Sequence, residues 1–373
     1  MTQFRFISLI SLLLMFVCGT NIILAQTFNK SDQPNSIKIG LLIPSPQSLS
    51  AKHGAELAIQ KANENGGYSG NPFQLVVRST EGPWGAGSKE SVNLVFEDEV
   101  LAIIGSLDGR NAHLAEQVAA KTKIAFLSTR ATDMTLSQAF VPWFFRCVPN
   151  DKQQAVSLIQ GIIQNNKTGN IATISTDDYD SKHAVNTFLK VADSMNIASP
   201  KQFLAESSGN NIHEIIDEIE NSDVANIVLF GDYSFASKIV SVKKQRNMLQ
   251  TIFGSLSVLY NQKVSDINQS IFDDVILISS NYWFTDEGVA FQKEFEKNFG
   301  YKPGVAAAFA YDGVNIIIEA IKNAGTDRDE IIGELAKIKY INGVTGNIQF
   351  DINGNRVGNP KLLIIKNGNL VEL

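Results

Sequence analysis

The chain reads as an α/β protein of two lobes, each built on a parallel central sheet, and three observations predict this. Short apolar runs alternate with helical patterns from Ile37 almost to the C-terminus. Runs such as Val100–Gly105 are continuously apolar, as strands buried on both faces are. The alternation breaks and restarts at Pro142–Asp151, PWFFRCVPND, too long and too Pro-bounded for an ordinary strand-to-helix loop.

Strand-like runs fall at Ile37–Ile43, Phe73–Val77, Val100–Gly105, Ile124–Leu127, Ile171–Ser175, Gln202–Ala205, Asn226–Phe230, Thr251–Gly254 and Val275–Ser279. Between them, residues such as Ile212, Ile215, Ile216 and Ile219 recur at helical spacing. A second break, Asn281–Asp286, precedes three helical patterns at Glu287–Phe299, Val305–Asn323 and Arg328–Lys337. The tail offers a short strand and turn in Gly343–Asn355, then Leu362–Ile365 and the turn pair Asn367-Gly368. The lobes are therefore expected at 37–147 plus 282–342 and at 148–281 plus 343–373.

Residues 1–25 combine Arg5, an apolar run through Val17, and Ile23 and Ala25 ahead of a cut, the pattern of an export signal. A retained anchor and a lipidated Cys18 compete with that reading, although Met15-Phe16-Val17 suits lipidation poorly. The net charge of −6 becomes −7 once Arg5 is removed, which argues against nucleic acid or an anionic membrane as the main partner. Cys147 is the remaining cysteine of the two and sits in an apolar segment, so a buried inert thiol and no internal disulfide are expected.

Two neighbouring loops, Ser106–Asn111 and Ser128–Asp133, follow apolar strands and open toward helices, so they face one cleft. Enzymatic signatures are missing. Gly82–Lys89 approximates a phosphate loop, but Ser88 precedes Lys89, the reverse of the order that places lysine on phosphate and hydroxyl on magnesium. There is no G-x-S-x-G and no H-E-x-x-H. His53, His113, His183 and His213 lie in separate helical patterns and read as surface or satisfied histidines. The expectation is a non-enzyme without metal or cofactor.

The segments IKIGLLIP, HGAELAIQKANENGG, VLAIIGSLDG, FLSTRATD, PWFFRCVPNDKQQA, DDYDSKHAVNTF, IVLFGDYS, AYDGVNIIIEAIKNAG and GVTGNIQFDINGN, in that order, resemble the type I periplasmic binding proteins. The branch is that of leucine/isoleucine/valine-binding and amide-binding proteins of ABC importers. The resemblance implies two lobes joined by a three-crossover hinge, closing on a small polar solute (amino-acid-like, amide or carboxylate). It also implies a periplasmic or extracytoplasmic monomer that delivers the solute to a membrane permease. A sensor built on the same shell is the alternative, and an exported hydrolase a third reading.

By the same resemblance, Asp108, Gly109 and Arg110, with Arg130, Ala131 and Thr132, take the positions that bind a ligand carboxylate. Tyr179 and Tyr233 match tyrosines of the second lobe. Gly109 stands where the amino-acid binders carry serine, and Leu256 where they carry the carboxylate that holds an α-ammonium. An ammonium left against Leu256 would be an unpaired buried charge, which argues against an ordinary branched-chain amino acid. The loop Pro44–Lys52 is also shorter than usual. Trp84 could wall the pocket or cap a cation, and Asp108, Arg110 and Arg130 could pair with ligand charges. Asp108 reads equally as a helix cap, Arg110 as a solvated first-turn residue, Arg130 as a backbone contributor, and Trp84 and Tyr233 as packing residues.

Overall fold

A computed structural model describes residues 36–139, 142–165, 169–206, 208–260 and 269–373. The expected export signal and Cys18 lie outside the described residues.

The first sheet has the order β2-β1-β3-β4-β5, with every pair parallel. Its strands are β1 (Ile37–Ile43), β2 (Phe73–Ser79), β3 (Ala102–Gly105), β4 (Ala125–Ser128) and β5 (Phe144–Arg146). Successive side chains point to opposite faces, and the core divides accordingly. Ile39, Leu41, Ile104 and Leu127 join the core formed with α1 (Leu49–Glu64) and, later in the chain, Val305–Ala324. Leu42, Ile103 and Phe126 join a separate core with α2 (Ala86–Phe96) and α3 (Gly109–Thr122). Helices on both faces explain why these strands are apolar throughout.

The second sheet has the order β14-β13-β10-β9-β8-β6-β7. Its parallel part comprises β6 (Asn170–Ser175), β7 (Lys201–Leu204), β8 (Val224–Phe230), β9 (Thr251–Gly254) and β10 (Ile276–Ile278). The helices α4 (Asp151–Gln164), α5 (Tyr179–Ser194), α6 (Ile212–Glu220) and α7 (Tyr233–Gln245) connect into or between them. In α6, Ile212, Ile215, Ile216 and Ile219 are the buried face that the sequence spacing indicates.

Three helices then return to the first lobe: α8 (Asp286–Phe299), α9 (Val305–Ala324) and α10 (Arg328–Leu335). The helix α9 is apolar almost all round and lies against α1 so closely that a Cβ on Gly54 would stand 2.2 Å from the Ala307 carbonyl oxygen. Only glycine admits that approach. A two-stranded piece, β11 (Lys339–Tyr340) with β12 (Ile348–Gln349), precedes the return to the second sheet.

Two features differ from the sequence-based expectation. Pro142–Asp151 is not only a crossover: its Phe144–Arg146 is the edge strand β5. The second sheet is not wholly parallel, because β13 (Leu362–Lys366) runs antiparallel to β10 and β14 (Asn369–Glu372) antiparallel to β13. The hairpin turns at Asn367 and Gly368, with φ of 51° and 71°, the left-handed pair of a tight two-residue turn.

The chain passes between the sheets three times, and buried polar groups tie two of the passages together. Asp312 of α9 accepts from the Val344 amide (2.9 Å), the Thr345 amide (2.8 Å) and the Thr345 hydroxyl (2.6 Å). Arg356 donates to the Thr345 carbonyl at 2.7 Å and to the Cys147 carbonyl at 3.1 Å, joining the last passage to the first. The Cys147 side chain is fully buried, and burial pushes its thiol pKa up, so it holds its proton and is unreactive.

Candidate functional site

The carboxyl ends of the two sheets face a cleft of about 1080 Å3. From the first lobe come Asp108, Arg110 and Asn111 at the start of α3, and Arg130 and Thr132 after β4. From the second come Asp151 and Gln154 of α4, Thr176–Ser181 at the start of α5, Gly231–Phe235 at the start of α7, and Ser255, Ser257 and Tyr260 after β9. Ligands of α/β sheets gather at such strand ends, where helix N-termini present amides.

Local sequence builds these helix starts. Asp108, Asp178 and Asp232 cap α3, α5 and α7 by accepting from the amides of Asn111 (2.9 Å), Ser181 (3.0 Å) and Phe235 (2.9 Å). Asn150 and Gln153 form a reciprocal capping box on α4, at 2.8 and 3.0 Å.

The lobes meet along one seam of the cleft. The Gly109 amide donates to Asp180 Oδ1 at 2.7 Å, and Tyr179 Oη donates to Asp133 Oδ2 at 2.9 Å. His183 Nδ1 lies 3.3 Å from Asp133 Oδ1 and its ring stacks on Tyr179 at 4.3 Å between centroids. Asp133 also accepts from the Thr135 amide (2.9 Å) and hydroxyl (2.8 Å), and His113 Nε2 lies 3.1 Å away. Burial opposes the charge on Asp133, but the His113 and Thr135 bonds outweigh it and hold this carboxyl well below the usual carboxylate range. His113 is correspondingly raised to about 9 by Asp133 and then by Glu116, 3.4 Å from Nδ1.

Beneath the seam lies Arg146, fully buried on β5. Its Nη1 donates to the Asp133 carbonyl at 2.8 Å and the Ala131 carbonyl at 3.5 Å, which fixes the loop after β4. Burial lowers its pKa to about 10, opposed by Asp151, Asp133 and Glu116. Asp151 is pushed up to about 7 by burial, against the Thr132 hydroxyl and the Arg146 charge. Asp180 is pushed up to about 6, again by burial, against Arg130 and the Gly109 amide.

The expected site residues divide. Asp108, Arg110, Arg130, Thr132, Tyr179 and Tyr233 line the cleft. The Arg110 guanidinium lies 5.8 Å from the centre of the Tyr179 ring, and that of Arg130 5.9 Å from the Tyr260 ring. Asp108 is also the cap that the alternative reading describes. Gly109 and Ala131 stand behind the wall: the first gives its amide to Asp180, and the second accepts from Arg146 and donates to Ser128 Oγ at 3.1 Å.

Two expectations are corrected. Trp84 is 83% exposed on the loop before α2 and is not in the cleft lining. Leu256 is 0% exposed, its side chain in the core, while its amide donates to Gln154 Oε1 at 2.9 Å. Its two serine neighbours face the cleft instead, so Leu256 cannot stand in for a ligand-facing carboxylate. Asp151, Asp180 and Tyr260 line the cleft and were missed by sequence reasoning, as was Arg146 beneath the seam; Asp133 ends a loop that the sequence placed at the cleft, but its contacts across the seam were not foreseen. Asp180 lies in the first turn of α5 and reaches across to α3, a contact with no local signature in the sequence.

A family model described as "Periplasmic binding protein" matches residues 36–364. The chain belongs to this periplasmic binding protein family. Among curated relatives it is 22% identical, over 339 residues and 87% of both chains, to Leu/Ile/Val-binding protein homolog 1 of Brucella suis. Among solved structures, the periplasmic binding protein fold is shared with the branched-chain amino acid transporter substrate binding protein LivJ of Streptococcus pneumoniae, in complex with isoleucine. The TM-score is 0.77 at 22% identity, covering 91% of this chain and 100% of that one. A solute binding protein of an ABC transporter from R. palustris, in complex with benzoate, gives a TM-score of 0.78 at 19% identity, covering 91% and 95%. Those likenesses establish the two-lobe fold.

Proposed function

We propose that the chain is an exported substrate-binding protein of an ABC importer, which captures a small polar solute between lobes 37–147 plus 282–342 and 148–281 plus 343–373. The observation that carries this reading is the cleft itself, lined by helix starts from both lobes at the carboxyl ends of both sheets. The solute is amino-acid-like, an amide or a carboxylate, in keeping with the isoleucine and benzoate held by the similar structures. The protein acts as a monomer outside the cytoplasm and hands its solute to a membrane permease.

Function follows from closure. A ligand that touches both walls binds the closed arrangement more tightly and shifts the population toward it, the hinge motion known for periplasmic binding proteins as a class. Hydrogen bonds and charge pairs from the two walls then fix its orientation, as the cleft's mixed polar and aromatic lining provides.

A thermal-shift screen of amino acids, amides, amines and small carboxylates identifies the ligand, and small-angle scattering on the protein with and without it reads closure. A smaller radius of gyration at saturation is expected. An unchanged profile would overturn the closure mechanism, and the absence of any stabilising solute would overturn the receptor reading.

A further inference from the structure

Taking the cleft as the ligand site, and so resting on the reading above, we infer that Asp180 sets the charge class of the ligand. It occupies the amide at the start of α3 and makes the cleft selective for a solute bearing a positively charged nitrogen over one read by its carboxylate.

Part of the anion-binding capacity of the helix starts is already used by the chain itself, most fully at α3. At α3, the Gly109 amide goes to Asp180 Oδ1 (2.7 Å), the Asn111 amide to Asp108 Oδ1 (2.9 Å) and the Ala112 amide to the Asp108 carbonyl (2.9 Å). At α5 and α7 the caps Asp178 and Asp232 take one amide each, those of Ser181 and Phe235. Such amides are what makes a helix start an anion site, so committing them to internal carboxylates removes that function.

Space is committed as well as hydrogen bonds. A Cβ on Gly109 would stand 2.8 Å from Asp180 Oδ1 and 2.9 Å from Tyr179 Cε1, so the surface in front of this amide is filled by α5. With the lobes in contact, a ligand carboxylate reaches the Gly109 amide only by displacing Asp180, a carboxylate of the opposite lobe. The nearby Arg130 also acts on Asp180, favouring its charged form.

What remains exposed to the cleft is negative. Among the described residues its lining carries seven carboxylates against three cations, Arg110, Arg130 and Lys238. Asp151 and Asp180 are both held above the ordinary aspartate range, first by burial and then, in part, by neighbouring carboxylates: Asp180 and Asp133 act on Asp151, and Asp108 and Asp178 on Asp180. A further anion adds to that repulsion, whereas an ammonium or amidinium relieves it.

Calorimetry on the protein with skeleton-matched sets that differ in charge tests this: leucinamide, leucine and 4-methylpentanoate on one skeleton, benzylamine and benzoate on another. In each pair that binds, the cation without a carboxylate is expected to bind at least tenfold tighter than the anion. Asp180→Asn keeps an oxygen for the Gly109 amide while removing the charge, and should cut that preference below threefold. Asp180→Ala releases the amide, and should raise carboxylate affinity at least tenfold over wild type. Carboxylates binding the wild type as tightly as their amine partners, with neither variant shifting the ratio, would overturn the assignment and leave the receptor reading standing. Saturable binding by none of the five, together with no solute in the wider screen, would remove both.

Discussion

Tyr179 Oη donates to Asp133 Oδ2 at 2.9 Å, a single bond that joins the first residue of α5 to the loop after β4 and so spans the two lobes. The same ring packs on His183 at 4.3 Å and lies beneath the Arg110 guanidinium. Tyr179→Phe keeps the ring and deletes the bond, leaving Asp133 with its histidine and threonine partners. A net hydrogen bond contributes about 0.5–1.5 kcal/mol, and one at a cleft edge lets water replace the lost donor. Urea unfolding should show a loss of about 1 kcal/mol, and a fall beyond ~3 kcal/mol would mean that the ring itself had moved.

The pair His113 and Asp133 gives the seam a defined pH dependence. His113 keeps its proton to about pH 9 in the folded protein against an ordinary value of 6.5, so its contribution is full below 6.5 and is lost as pH rises through 9. Asp133 is depressed below the ordinary 3.8, so its contribution is present above that value and is lost as pH falls further. Denaturant midpoints measured at pH 6 and pH 9.5 should therefore drop more for the wild type than for His113→Gln. Equal drops in the two proteins would show that the titration lies elsewhere.

Arg146 is a buried cation that serves position rather than exposure. Its guanidinium lies among Asp151, Asp133 and Glu116 and anchors the backbone that carries Arg130 and Thr132 into the cleft. Arg146→Met retains volume but removes the buried charge and its donors to the Ala131 and Asp133 carbonyls. Taking these donors from buried backbone carbonyls costs about 1–3 kcal/mol. Chemical unfolding should register that loss, and a stability within ~1 kcal/mol of wild type would show that the carboxylates neutralise by taking up protons.

Local patterns made most of the architecture legible. The apolar run of Ile37–Ile43 and the isoleucine spacing of α6 depend on neighbours within a few residues, and both elements stand where those patterns put them. The strand β5 was hidden because three residues hold too little of a period to be told from a crossover. The site was legible to the extent that it consists of helix starts after strands, as Asp108 and Thr132 illustrate. Asp180 acts on an amide 71 positions away, and Arg146 acts on carbonyls of a loop it merely underlies, so neither role has a local signature. Leu256 shows the converse failure: alignment put the right segment at the cleft, but the pleat and turn after β9 send this side chain inward and its serine neighbours outward.

That orientation makes Leu256 a direct test of core against site. Its side chain is fully buried in the core, and its backbone amide donates to the Gln154 amide oxygen, a residue of the cleft. Leu256→Ala removes buried methyl groups without altering a polar contact of the lining. The transfer and cavity penalties for such truncations together come to about 2–5 kcal/mol. Unfolding should show a loss in that range, while the ranking of solutes by affinity stays as in the wild type. Ser257→Ala should behave in the opposite sense, nearly neutral for stability and felt in binding, because Ser257 lines the cleft. A changed solute ranking in Leu256→Ala with full stability would place that side chain in the cleft wall and overturn its assignment to the core.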